Sequence, residues 1–280
     1  MQQDNHPIQD RPESLSFRTF SRIFFSLLAV FLPALLSAQN FPFQDGEELK
    51  YDIRYKYGLV VMKGGTANYR LDFTTFNKKQ AVKSSLNFRT TAFFDKIYKM
   101  RDTLYSYASI PDLKPLYHHR TVNEGNTRFQ EEMIVHKFGN SHTEVNIRRI
   151  RREELTIDTI IIANNRGYDL LNIFLFVRNL NYSTISLGDT YNLTTFIGKK
   201  KVNIILRYEG QAILERSQNL KYATRRFTVD IIDDVFTESK NAMEIWISDD
   251  ANRLPLRLKA KLKIGAAEAD LVSHNIQISR

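Results

Sequence analysis

The alternation of apolar and polar positions is strictest between Leu254 and Lys263. Leu254, Leu256, Leu258, Ala260 and Leu262 fall on one face, and Pro255, Arg257, Lys259, Lys261 and Lys263 on the other. That is the period of two expected of a half-buried strand, here with a core side and a cationic side. Glu244–Ser248 reads as its partner strand, because Asp249-Asp250-Ala251-Asn252-Arg253 between them is rich in short polar side chains that bond their own backbone in turns. A third strand, Ala266–Ser273, follows a turn at Lys263-Ile264-Gly265-Ala266, where Gly265 supplies a positive φ without steric cost. Pro255 has no N–H and belongs at a strand start or on an edge.

The same period recurs upstream. Leu49, Tyr51, Ile53, Tyr55 and Tyr57 alternate with Lys50, Asp52, Arg54 and Lys56, which predicts a strand with an aromatic face. Lys63-Gly64-Gly65 interrupts the next apolar stretch before Thr66–Phe73 resumes it, so this part reads as strand, glycine-marked bend or turn, then strand. Further strands are expected at Ala81–Thr90, Lys96–Ala108, Lys114–Val122, Thr127–His136 and Thr143–Ile150, and, later, at Asp189–Phe196, Lys201–Tyr208, Gln211–Glu215 and Lys221–Ile231. The pattern changes once, at Tyr168–Leu180. Leu170, Leu171, Phe174 and Leu175 are spaced by three and four, Asp169 stands where a carboxylate suits a helix N-terminus, and Asn179 ends the run. Such a helix, apolar nearly all round, has to be buried. The expected fold is mainly β: a large curved antiparallel sheet or half-open barrel-like meander, with one central helix at about 168–180 packed on it.

Composition adds a compartment. Arg18 and Arg22 precede an apolar run from Ile23 to Leu36, followed by the small residues Ser37 and Ala38, the order of a secretory signal peptide. Residues 1–38 are read as that signal behind a long N-terminal extension, and 39–280 as a single β-rich domain, with cleavage expected near Ala38-Gln39. The run is short of the roughly twenty apolar residues that span a bilayer as a helix. The chain has no cysteine, which excludes disulfides, thiolate metal sites, a thiol nucleophile and a lipid-modified cysteine. Lys and Arg total 40 against 31 Asp and Glu, a net charge of +9. For an exported chain this excess points to anionic envelope components and not to nucleic acid.

Several stretches together carry a resemblance: Gly46-Glu47-Glu48-Leu49-Lys50-Tyr51, Gly65 with Ala67, Tyr168-Asp169-Leu170-Leu171 leading to Val177-Arg178, Gly188-Asp189, Ile245-Trp246-Ile247-Ser248-Asp249-Asp250 with Arg253-Leu254-Pro255, and Gly265. In their order and spacing the chain resembles the exported bacterial proteins grouped as domain-of-unknown-function family 3108. The resemblance implies an envelope location and a mainly β fold, and brings no activity, ligand or catalytic residue.

Candidate chemistry is sparse. His118 and His119 are neighbours on a strand and point to opposite faces, so they do not converge on one metal. His136 and His142 flank the Phe138-Gly139-Asn140-Ser141 turn with Glu132 and Glu144 nearby, but an exposed polar rim accounts for them and no metal is expected. Asp249-Asp250-Ala251-Asn252 lacks the glycine and distal glutamate of a calcium loop. The cluster Arg148, Arg149, Arg151 and Arg152, and the cationic strand face of Arg257, Lys259 and Lys261, are the candidate anion contacts. The Lys199-Lys200-Lys201 run reads as a solvated turn. Tyr51, Tyr55, Leu171, Phe174 and Leu175 are the candidate lining for an apolar ligand between the sheet and the helix. No nucleophile elbow, phosphate loop, dinucleotide glycine pattern or zinc-protease motif occurs, and no cofactor is expected, although a missing motif does not decide against an enzyme.

These readings lead to an exported cell-envelope protein, in the periplasm or at the inner face of the outer membrane of a Gram-negative bacterium. The expected role is a non-catalytic binding module for a hydrophobic or anionic envelope component such as lipid, with peripheral membrane contact. A structural or adaptor protein and an outer-membrane β-barrel, its leucines toward lipid and its lysines toward the lumen, are the alternatives. A cavity of several hundred Å³ under the helix separates a carrier from an adaptor with a filled interior.

Overall fold

The computed structural model describes residues 41–216, 220–232, 239–262 and 265–276. The expected signal segment, together with Lys263 and Ile264 of the last turn, lies outside the described residues. In chain order the elements are β1 (Glu47–Tyr57), β2 (Val60–Phe76), β3 (Lys79–Thr90), α1 (Ala92–Asp95), β4 (Arg101–Ser109), β5 (Pro115–Glu124), β6 (Thr127–Phe138), β7 (Thr143–Arg151), β8 (Glu154–Ala163) and β9 (Arg166–Tyr168). They continue with α2 (Leu170–Arg178), β10 (Thr190–Ile197), β11 (Lys200–Glu215), β12 (Lys221–Ile232), β13 (Ser239–Ser248), β14 (Pro255–Lys261) and β15 (Ala266–His274).

The fold is mainly β, and its strands form one sheet in the order β8-β7-β6-β5-β4-β3-β2-β1-β15-β14-β13-β12-β11-β10-β9. Two meanders, one running outward from β1 and one from β15, are joined where the first and last strands pair antiparallel, with Tyr51 opposite Leu271 and Ile53 opposite Ala269. Among the described pairs only β9 with β10 is parallel, and α2 is the crossover that such a pair requires. The sheet curls until its two edges nearly meet. There Thr143 of β7 accepts from the Gly167 N–H of β9 at 2.9 Å and donates to the Asn165 carbonyl at 2.8 Å, and Lys201 of β11 donates to the Ile162 carbonyl of β8 at 3.2 Å. Side chains thus take over where ladder pairing stops, and the unpaired edges of an open sheet are covered.

Alternation decides which residues face the lumen. Along β1 the buried or half-buried side is Glu47, Leu49, Tyr51, Ile53 and Tyr55, while Lys50, Arg54 and Lys56 are exposed. On β14 Leu256 is buried, with Arg257 and Lys259 outside; Pro255, expected on the cationic face, is buried as well and lines a lumenal cavity at the strand start. The helix α2 lies in the lumen: Leu171 and Leu175 join the core of β1–β4, and Ile173 and Val177 join the core of β10–β13. This is why it is apolar on nearly every side.

Several boundaries differ from the sequence reading. The helix spans Leu170–Arg178, because Asp169 is its N-cap, accepting from the N–H groups of Leu171 and Asn172 at 3.0 and 3.1 Å, and Tyr168 belongs to β9. Lys96–Ala108 is not one strand. Thr91 caps the short helix α1, and Arg101 donates to Asp95 and to Thr90 at 3.0 Å each, which folds residues 91–100 across the end of β3 and delays β4 to Arg101. β8 and β9 have no counterpart in the sequence reading. β11 is continuous through a bulge between Tyr208 and Gln211, where Gly210 adopts φ 91°. Leu262, expected on the core face, lies beyond the end of β14 and is 47% exposed.

Candidate functional site

Between β1, β2, β3, β14, β15 and one side of α2 lies a cavity of about 230 Å³. Leu49, Tyr51 and Ile53 form its β1 wall, Tyr69, Leu86 and Phe88 continue it over β2 and β3, and Leu258 and Ala269 close it from β14 and β15. The helix supplies Leu171, Phe174 and Arg178. Small residues leave the space: Ala67 sits opposite Tyr51 and Phe88, and Ala269 opposite Ile53 and Leu258. The two tyrosine hydroxyls are already engaged, that of Tyr51 donating to the Pro255 carbonyl at 2.9 Å and that of Tyr69 to Ser84 at 3.1 Å. Burial raises both phenols above the ordinary tyrosine value, Tyr69 to about 12, so both remain neutral.

The helical wall is anchored at both ends. At its start Ser106 of β4 donates to Asp169 at 2.6 Å, and His118 of β5 lies 2.9 Å from the same hydroxyl. Since the serine proton goes to the carboxylate, the serine oxygen accepts from His118 Nδ1–H, which assigns the tautomer. Burial holds the His118 pKa below the ordinary histidine value and keeps the ring neutral. Although the three residue types match a hydrolytic triad, both partners sit on one imidazole nitrogen, all three are buried, and the hydroxyl proton is committed to the acid. The cluster is a helix anchor.

At the other end Arg178 meets Glu47 of β1, Nη1 to Oε1 at 2.6 Å and Nη2 to Oε2 at 2.8 Å, with neither side chain exposed. Its Nη2 also donates to the carbonyls of Pro42 and Asn252, each at 2.8 Å. Burial works against the guanidinium charge, but the Glu47 carboxylate holds its pKa above the ordinary arginine value. Arg253 then caps the helix, donating to the carbonyls of Arg178 at 2.8 Å and Leu180 at 2.6 Å. A helix fixed this way is a wall and not a moving cover.

Going round the lumen, the wall changes character along one register row. Leu49, Tyr69, Leu86, Leu104, Arg120, Glu131 and Arg149 are successive partners from β1 to β7. Glu131 is buried and takes both arginines, Arg120 Nε at 2.9 Å and Arg149 Nε at 2.7 Å, while both guanidinium groups lie over the ring of Phe129. Two cations share one carboxylate. With strands about 4.8 Å apart, Arg120 stands roughly 10 Å from Leu86 at the cavity wall.

The model of a family described as a protein of unknown function, DUF3108, matches residues 50–272. The chain belongs to the DUF3108 family. Its fold is similar to the crystal structure of a beta-barrel-like protein of domain of unknown function DUF1849 from Brucella abortus, at a TM-score of 0.56 and 9% identity over 84% of this chain and 99% of that one. At that identity the likeness concerns the fold alone. No curated protein matches the chain.

Stretches of the DUF3108 chain far apart in sequence, and named above for the resemblance, converge on the helix. Glu47, Asp169, Arg178 and Arg253 are its clamps, and the Pro255 carbonyl holds Tyr51. Of the five residues expected to line an apolar site, Tyr51, Leu171 and Phe174 do so. Leu175 turns instead into the packed core, and Tyr55 lies farther along the inner face of β1, half buried.

The arginine cluster is divided by the strand. Arg149 faces the lumen. Arg148 lies outside, bonded to Glu132 at 2.9 Å, and Arg151 and Arg152 sit at the β7–β8 turn, where Arg152 has φ 52°. On β14, Arg257 is bonded to Asp270 at 2.7 Å, Lys259 lies 3.8 Å from Glu244, and Lys261 donates to the Lys240 carbonyl at 3.2 Å. Arg148, Arg257 and Lys259 thus face acids of adjacent strands, a compensation that single-strand periodicity does not reveal, whereas Lys261 meets a backbone carbonyl. Of the Lys199-Lys200-Lys201 run, expected as a solvated turn, Lys199 occupies the β10–β11 turn, whereas Lys200 and Lys201 open β11 and Lys201 is bonded to the Ile162 carbonyl. In the 249–254 turn Asp250 accepts from Ser248 and from the N–H groups of Asn252 and Arg253, so turn chemistry accounts for Asp250, while Asp249 accepts from Arg225 and Gln211. His136 falls in a bulge of β6, and His142 lies 3.6 Å from Glu144.

Proposed function

We propose that this protein is a non-catalytic binding module that takes one apolar chain, such as the acyl chain of a lipid, into the cavity beside α2. The cavity carries the reading. Protein interiors are close-packed, and an engineered apolar void of about 150 Å³ already binds small hydrocarbons. The lining of this 230 Å³ space is almost wholly apolar and partly open to water, so a hydrocarbon chain that covers it gains about 25 cal/mol per Å² of apolar surface removed from water. The register row from Leu86 to Arg120 supports an amphiphile whose acidic head rests on the arginine side of the lumen while its chain lies on the apolar side.

The Arg18, Arg22 and Ile23–Leu36 pattern and the absence of cysteine support an exported protein, working in the periplasm or at the inner face of the outer membrane. A structural adaptor is the weaker reading because it leaves the cavity without a purpose. A membrane-spanning barrel is not favoured. The leucines of β14 point inward, and the outer surface carries ion pairs such as Arg257 with Asp270 and Arg70 with Asp72. Such a surface is costly against hydrocarbon.

The test is titration of delipidated protein with a conjugated-polyene fatty acid in the absence of detergent. Saturable fluorescence at one equivalent, displaced by unlabelled fatty acid and lost in Ala269→Phe, is the expected result. No saturable binding by the wild type, or undiminished binding by folded Ala269→Phe and Ala67→Leu variants, overturns the reading.

A further inference from the structure

Turns β1–β2, β3–β4 and β14–β15 all lie at one end of the barrel, opposite the end at which Arg178 and Glu47 close it. Their apolar residues are bare. β1 and β2 run past the last β3 pair, Gly65 with Thr90, so their hairpin projects roughly 15 Å farther than its neighbour. Leu59 at its tip is fully exposed, and Tyr57, Val60 and Val61 are each more than half exposed. Beside the hairpin, where Thr91 N–H donates to the Gly64 carbonyl, the α1 segment presents Phe93 and Ile97, also more than half exposed. Leu262 adds a third apolar tip, on the turn that follows β14.

Lysines surround these tips. Lys56, Lys96, Lys99 and Lys261 are exposed and adjoin them in the chain; of the acids beside α1, Asp95 is bound by Arg101 and held down to about 2 by that contact and by Thr90, and Glu124 accepts from Tyr98. Separate apolar tips on three turns, ringed by cations, lack the single continuous face that a folded partner buries. They match a fluid surface that is hydrocarbon below and anionic above. The inner face of β1 between the tips and the cavity is apolar as well, from Tyr57 through Tyr55 to Ile53, with Met62 opposite Tyr55.

We infer that this end of the barrel docks on an anionic lipid bilayer, with Leu59, Phe93 and Ile97 immersed and Lys56, Lys96 and Lys99 on the headgroups. The inference stands on the rim alone and holds whether or not the cavity takes an acyl chain.

The absence of cysteine makes site-specific labelling direct. An environment-sensitive fluorophore is placed on the full chain at Leu59→Cys and, as the control, at Leu187→Cys, which is exposed in the loop before β10 at the opposite end. With vesicles of phosphatidylcholine containing about a third phosphatidylglycerol, the label at 59 should shift to the blue and the label at 187 should not. Lys56→Gln with Lys99→Gln should weaken partitioning roughly tenfold to thirtyfold. The apolar N-terminal segment is common to every variant, so differences between labels report the rim. Equal shifts at 59 and 187, no shift at 59, or a shift at 59 that follows protein concentration without vesicles would each overturn the inference; the last would indicate a second copy. Fatty-acid titration of the double lysine variant in detergent-free solution keeps failure of the rim distinct from failure of the cavity.

Discussion

Arg178 and Glu47 form a bidentate ion pair at 2.6 and 2.8 Å across 131 positions of sequence, with both side chains fully buried. The pair ties the end of the lumenal helix to the first strand and closes one end of the barrel. Removing one partner strands a charge in a medium that cannot solvate it. Glu47→Ala or Arg178→Met alone should each cost about 3–5 kcal/mol. The double variant should cost clearly less than the sum in a cycle of denaturant melts. Additive losses would mean that the two residues act independently.

The two-faced β14 strand makes a second prediction. Leu256 is 1% exposed, so Leu256→Asp should cost several kcal/mol and leave little folded protein. Lys259 is outside, opposite both Glu244 and Glu268, so Lys259→Glu creates a row of three carboxylates. Its cost should be about 1 kcal/mol and should shrink with added salt. Equal losses in thermal melts would refute the assignment of faces.

Closure of the sheet predicts a steric effect at Gly167. A methyl group there would stand 2.6 Å from the Phe196 ring and 2.9 Å from Thr143, where the two edges meet. Gly167→Ala should destabilise by about 1–3 kcal/mol. Gly188→Ala, which meets no neighbouring atom, should be felt only through its positive φ of 88°. Hydrogen exchange reads the mechanism: in Gly167→Ala the amides of β8 and β9 should lose protection before those of β1 and β15.

Glu124 carries a pH dependence. Burial, together with the adjacent Asp102 carboxylate, raises its pKa to about 7, while Tyr98 and Arg120 work the other way. Between the unfolded value of 4.5 and that folded value the native state holds the extra proton. Stability at this site therefore falls as pH rises through that window. The Tm difference between Glu124→Gln and wild type should grow in favour of the variant between pH of about 5 and about 8. Taking the difference cancels His118, whose depressed pKa gives the opposite slope, with stability lost as pH falls below the ordinary histidine value. A constant difference would remove Glu124 as the source.

Parts of the site were legible in the chain. Tyr51, Leu171 and Phe174 were expected at an apolar wall, and they are there, because alternation and helical spacing determine a side chain's face from neighbours alone. The Arg178–Glu47 clamp also left a trace. Arg178 continues the stripe of Leu171, Phe174 and Leu175, and Glu47 shares the face of Leu49 and Tyr51. A charge on each of two apolar faces marks a candidate pair, but which acid meets which base depends on strand order. The acids beside Arg149 and Arg257 were not legible for the same reason, since they come from other strands.

Periodicity, spacing and turn chemistry act locally, and they suffice for strand alternation, a helix with Asp169 near its start, the Asp250 turn and a positive φ at Gly265, which is 76° in the structure. The family resemblance and the mainly β class rest on such patterns. The pairing of β1 with β15, the curl that brings Thr143 to Gly167, and the cavity that Ala67 and Ala269 leave beside Phe174 emerge only in the folded chain. A period of two assigns a residue to a face, but not the strand that face will meet. Register between distant segments is selected by the free energy of the whole closed sheet, in which each pairing is favourable only when the others have formed.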